Sequence, residues 1–224
     1  MSVGVEYDIV SIGALSRNRL WGETEARRAG HATTTLIRDA NTSILVDPGL
    51  PAEVLAQRLD ERAGLRPEQI EVVFLTNFRP VHRRGLAAFA KATWLMHESE
   101  ISAMKAHLGE IERRSEAGDD VRRLVREELA LLSRIQAADD KLTPAVHLFP
   151  TAGVTPGAAG LLLAAATHTV VVAGDAVISR GYFEVGRVFE QVSSVEEAQE
   201  SFREILEIAD EVVPGHDNAF RVSS

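Results

Sequence analysis

Cysteine is absent from the 224 residues, which removes disulfides, thiolate metal ligands and cysteine nucleophiles at once. Positive charge is in deficit: 24 Lys and Arg stand against 33 Asp and Glu, for a formal net charge of −9. A phosphate-tracking surface would have to be a local basic patch working against that field, which argues against nucleic acid as the main partner. The first eight residues, Met1 to Asp8, hold neither a basic stretch nor an apolar run before a small-residue cleavage site, so no secretory leader is expected. The most apolar stretch, 158–178, is interrupted by His168 and Asp175 and falls short of the roughly 20 predominantly apolar residues of a membrane span. These absences point to a cytoplasmic protein with no membrane partner. Also missing are a Gly-X-Ser-X-Gly nucleophile turn, a phosphate-cradling Gly-rich loop and a dinucleotide fingerprint.

What is present suffices for a well-buried core: 45% of the residues are hydrophobic, and the length fits one domain over 1–224. Alternating apolar positions predict an opening strand at Val5–Ile12 and a hairpin of Thr33–Arg38 with Ser43–Val46, turned at Asp39-Ala40-Asn41. Pro51 opens a helix with Val54, Leu55 and Leu59 on one face, and Gly64 closes it. Val72–Leu75 is a short continuous apolar run of the kind found in fully buried strands. Helical spacing of Ile101, Met104, Leu108 and Ile111, then of Val121, Leu124, Leu131 and Ile135, predicts a helical hairpin inserted over 98–141. It either packs on an outer face of the domain or serves as a lid or a homodimer contact. A strand near Val146–Phe149, strands at 160–166 and 169–174, a helix at 195–209 and a Pro214-Gly215-His216 turn complete the pattern.

Five short segments carry the functional signal. Residues 75–85 read Leu-Thr-Asn-Phe-Arg-Pro-Val-His-Arg-Arg-Gly, a strand end running into a loop. Around it stand Ile-Leu-Val-Asp-Pro-Gly at 44–49, Gly153-Val154-Thr155-Pro156-Gly157, Ala173-Gly174-Asp175 and Val213-Pro214-Gly215-His216. In order and spacing they resemble the signatures of the metallo-β-lactamase superfamily, the glyoxalase II-like hydrolases, whose ligand loop normally reads Thr-His-X-His-X-Asp-His. The resemblance covers nearly the whole chain. It implies an α/β fold, a four-layer αββα sandwich, here with a helical hairpin added.

The same resemblance assigns the ligand positions, and many are altered. The first metal's ligands would fall on Asn77, Arg79 and Val154; an amide binds zinc poorly, a guanidinium has no lone pair to give, and valine has no donor atom. The second metal's ligands would fall on Val81, His82, Asp175 and His216. Two imidazoles and one carboxylate remain, a legitimate set for one zinc or iron ion, and no dinuclear site is expected. Asp47 corresponds to the aspartate that braces the ligand loop from behind. With one ion bound, the implied activity is hydrolysis of an ester, thioester or lactone by metal-activated water, with Asn77 or Arg79 stabilising developing negative charge. The competing account has Arg79 pairing with Asp175 in place of the metal's charge, leaving a catalytically inactive binding or assembly protein. Arg79, Arg83 and Arg84 around His82 also suggest an anionic ligand, phosphate or carboxylate, at the cleft mouth. His31, His97, His107, His147 and His168 read as structural or surface residues.

Overall fold

The computed structural model describes residues 4–114 and 118–222. Two six-stranded sheets form the centre. The first contains β1 (Glu6–Ser11), β2 (Thr34–Asp39), β3 (Thr42–Val46), β4 (Val72–Leu75), β5 (Thr93–Met96) and β6 (Gln136–Ala137), in that spatial order. The second runs from β7 (Lys141–Thr143) through β8 (Val146–Pro150), β9 (Ala159–Ala164), β10 (Thr169–Gly174) and β11 (Glu211–Pro214) to the edge strand β12 (Phe220–Arg221). Strands β3 to β6 pair in parallel, as do β10 and β11; the remaining pairs are antiparallel.

The two-residue period of a strand decides which layer each side chain joins. Ile37, Ile44, Val46 and Phe74 of the first sheet face Leu161, Leu163, Val170, Val172 and Val213 of the second, making the inner core. Their neighbours Leu36, Leu45, Val73 and Leu75 point the other way, onto Leu55 and Leu59 of α1 (Ala52–Ala63). Behind the second sheet, Val171 and Val212 pack on Phe202 and Ile205 of α5 (Val195–Ile208). The result is the αββα sandwich that the five motifs implied.

The 98–141 segment differs from expectation in its end and in its faces. It holds α3 (Glu98–Arg113) and α4 (Asp119–Leu132), but the chain then returns to the sheets as β6 and β7. Residues 115–117, between α3 and α4 in the sequence, lie outside the described residues. Burial on α4 begins at Val125 and ends at Leu132, while Val121 and Leu124 are exposed. Helical spacing identifies stripes; it does not say where along a helix the sheet is reached. Val54 on α1 is likewise exposed beside its buried neighbours Leu55 and Leu59. No helix among the described residues is long and apolar enough to cross a membrane.

Candidate metal centre

The site lies where loops from both sheets meet. From the first sheet come Asp47 after β3, and Asn77, Arg79 and His82 on the loop and the short helix α2 (Pro80–Arg83) after β4. The second sheet supplies Val154 after β8, Asp175 after β10 and His216 after β11. All five motifs therefore converge, although they are spread from residue 44 to residue 216.

Asp47 has a φ of 49°, in the left-handed region that non-glycine residues rarely adopt. Strain of this kind persists where surrounding contacts over-determine it. Here they do: the buried Asp47 Oδ1 accepts the Thr76 N–H at 2.9 Å, and Oδ2 accepts the Thr76 hydroxyl at 2.7 Å and lies 2.9 Å from His82 Nδ1. The carboxylate thus fixes both the start of the ligand loop and the orientation of the imidazole.

His82 is fully buried, contrary to a loop histidine facing water. Its Nε2 is 3.1 Å from Asp175 Oδ2 and 3.2 Å from the Asn77 amide nitrogen. His216 Nδ1 is 2.9 Å from the His31 carbonyl and 3.2 Å from that of Ala14, so its N–H is committed there. That leaves His216 Nε2 aimed at Asp175 Oδ1, 3.2 Å away. Among the described residues no hydrogen bond reaches this buried Oδ1. Ligand atoms of His82, Asp175 and His216 all lie within 4.8 Å of one another. Two imidazoles held from behind and a carboxylate oxygen lacking a partner fit a single ion.

Electrostatics couple the same groups when no ion is present. Burial works against charge on His82, but the carboxylates of Asp175 and Asp47 outweigh it and raise its pKa from 6.5 to about 10. Burial alone would push Asp175 up; His82 and His216 overcome it and hold the carboxyl well below the usual range.

Arg79 closes the site. Its Nη1 donates to Asp175 Oδ2 at 3.1 Å and its Nη2 to the Val154 carbonyl at 3.1 Å and to the Gln191 carbonyl. Arg83 and Arg84 do not join it. Arg83 pairs with Glu128 of α4, and Arg84 reaches outward toward the Gly30 carbonyl, so the three cations form no common anion pocket. Val154 is buried, and Val81 contributes only its carbonyl, to Ala32 N–H. His97 caps α3, accepting the Ser99 N–H, and His31 rests its ring on the Ile12 carbonyl. Missed from the sequence were Thr76, Gln191, Glu128 and the buried Glu100. Thr76 was visible as the Thr that opens the ligand-loop pattern; no local pattern marks the other three.

An αββα sandwich with a His, Asp and His group able to hold a metal ion at the meeting of its sheets defines a hydrolase-like fold, and comparison with known proteins specifies it. The profile of the metallo-beta-lactamase superfamily matches residues 27–216, and the chain belongs to that superfamily. No curated protein sequence matches significantly. Among solved structures, a candidate metallo-β-lactamase of Thermotoga maritima is 18% identical with a TM-score of 0.69, over 98% of this chain and 100% of that one. AidC, a dizinc quorum-quenching lactonase in complex with a product, is 14% identical with a TM-score of 0.68, over 96% and 85%. A variant of AiiA from B. thuringiensis with N-decanoyl-L-homoserine bound at its active site is 18% identical with a TM-score of 0.64, over 92% and 89%. At these identities the likeness is one of fold.

Proposed function

We propose that this protein is a cytoplasmic hydrolase of the metallo-β-lactamase fold that holds at most one metal ion, zinc or iron, on His82, Asp175 and His216. Its substrate is a small molecule with an acyl bond: an ester, thioester or lactone. The observation that carries the reading is the buried Asp175 Oδ1, which has no hydrogen bond among the described residues and faces the free nitrogen of His216. When bound, the ion supplies Lewis acidity and brings water within reach of deprotonation near neutral pH. Asp47 holds the His82 ring and the His31 carbonyl holds that of His216, so neither ligand must reorganise to serve. Asn77 and Arg79 carry the donors that can stabilise an oxyanion. Arg79 must first leave Asp175, because its guanidinium spans the approach between Asp175 and the Val154 and Gln191 carbonyls. AidC, a lactonase, supplies the substrate class to try first.

The test is a panel of lactones, esters and thioesters assayed after chelation and after reloading with zinc or iron. Activity should vanish on chelation, return with metal and be missing from H82A and D175N. A metal-loaded protein that turns over none of them overturns the reading.

One observation favours a second account, in which the protein is catalytically silent and recognises an anionic ligand or a partner. Arg79 already gives Asp175 a cation at 3.1 Å, the service a metal would render. Under that account R79A loses stability and gains no metal. Under the first, R79A binds metal at least as tightly as the wild type.

A further inference from the structure

Glu100 stands in the first turn of α3, is fully buried and pairs with no cation among the described residues. A carboxylate is expensive to bury, and one is kept inside only where its hydrogen bonds compensate. Those of Glu100 join two loops that the chain keeps far apart. Oε1 accepts the Phe78 N–H at 3.1 Å, and Oε2 accepts the Gly157 N–H at 3.1 Å. Phe78 lies between Asn77 and Arg79, and Gly157 ends the loop that carries Val154. The packing is close enough that a Cβ on Gly157 would fall 2.0 Å from the Glu100 nitrogen.

The other helix of the hairpin grips the same residue from its far side. Arg83 Nε donates to the Phe78 carbonyl at 2.8 Å, and its guanidinium lies 4.1 Å from the centre of the Phe78 ring. That guanidinium pairs with Glu128 on α4. Phe78 is thus held at its N–H by α3 and at its carbonyl by an arginine anchored to α4.

We propose that the α3–α4 hairpin positions the site, with Glu100 as its positioning residue: the carboxylate clamps the loop bearing Asn77 and Arg79 to the loop bearing Val154. This sets the span across which Arg79 reaches the Val154 carbonyl. The proposal goes beyond the hydrolase reading and holds with or without an ion.

Amide hydrogen exchange in wild type, E100A, E100Q and E128Q, followed residue by residue in 15N spectra together with the Arg79 Nε–H signal, tests it. E100A should speed exchange at Phe78 and Gly157 by about tenfold to a hundredfold, the loss of hydrogen bonds to a charged acceptor, and should release Arg79. Amides of β4 and β10 should keep their rates. E100Q retains one carbonyl acceptor, so only one of the two amides should exchange faster. E128Q should loosen Phe78 while leaving Gly157 unchanged. Uniform acceleration across the sheets would reduce Glu100 to general support and overturn the proposal, as would unchanged rates at both amides. If E100A does not fold, E100Q and E128Q decide the outcome by the same criteria.

Discussion

Asp47 supports two neighbours at once, and its removal should be felt in both. D47A leaves the Thr76 N–H and the buried His82 ring without their acceptor, while the new alanine must still occupy a φ of 49°. Breaking a buried charged contact from one side typically costs about 3–5 kcal/mol, so urea unfolding should show a loss of that order. D47N keeps the shape and tolerates the left-handed backbone, so it should lose clearly less. Equal stability of D47A and wild type would remove Asp47 from its bracing role. The pH dependence also belongs at this scale. In the metal-free protein, facing carboxylates raise His82 from 6.5 to about 10. A raised folded-state pKa contributes stability that is fully present below about 6.5 and is lost as pH climbs through about 10. The urea midpoint of metal-free protein should therefore fall across that window, and H82N should flatten the slope. On the one-metal reading, zinc would compete with the proton for the same nitrogen, so zinc-loaded protein should not show the fall.

Among the elements, legibility depended on how local the determinants were. β4 was visible because Val72–Leu75 is a bare apolar run, and the β2–β3 hairpin because its alternation breaks at Asp39-Ala40-Asn41, with Ala40 taking a φ of 54°. The convergence of His82, Asp175 and His216 was legible because each sits in a short motif that follows a strand. The faces of α4 were not, since Val121–Leu124 and Val125–Leu132 are adjacent stripes, and only packing selects between them. Nor was the role of Glu100, an acidic residue in the first turn of α3. Its partners lie 22 and 57 residues away, and Arg79 finds the Gln191 carbonyl across 112. The directions of Arg79, Arg83 and Arg84 diverge for the same reason: residues in and flanking the short helix α2 point to different elements. A G157A variant tests how firmly the hairpin meets the site. Its new Cβ would drive into the backbone at Glu100, and a loss of about 1–3 kcal/mol in chemical unfolding is expected. Unchanged stability would mean that the α3 terminus yields freely.

For the molecule as a whole, the centre is the place where the two sheets' loops are joined by charge. His82 and Arg79 come from the first sheet and Asp175 and His216 from the second, so whatever cation stands among them ties one half of the sandwich to the other. An ion that binds only the folded state must stabilise it by linkage, about 2.7 kcal/mol at a hundredfold excess over Kd. For a chain of this size each kcal/mol moves Tm by about 2–4 °C, so saturating zinc should raise the melting temperature by roughly 5–10 °C. On the one-metal reading, H216A removes one of the three proposed ligands and should abolish most of that rise. R79A frees Asp175 Oδ2 of its guanidinium, so it should start from a lower Tm and gain more from zinc than the wild type does. If Arg79 has instead taken the metal's part, zinc will leave the wild-type Tm unmoved and R79A will stay low with or without it. The difference between those two melting series separates a one-metal hydrolase from a fold that holds its halves together with arginine.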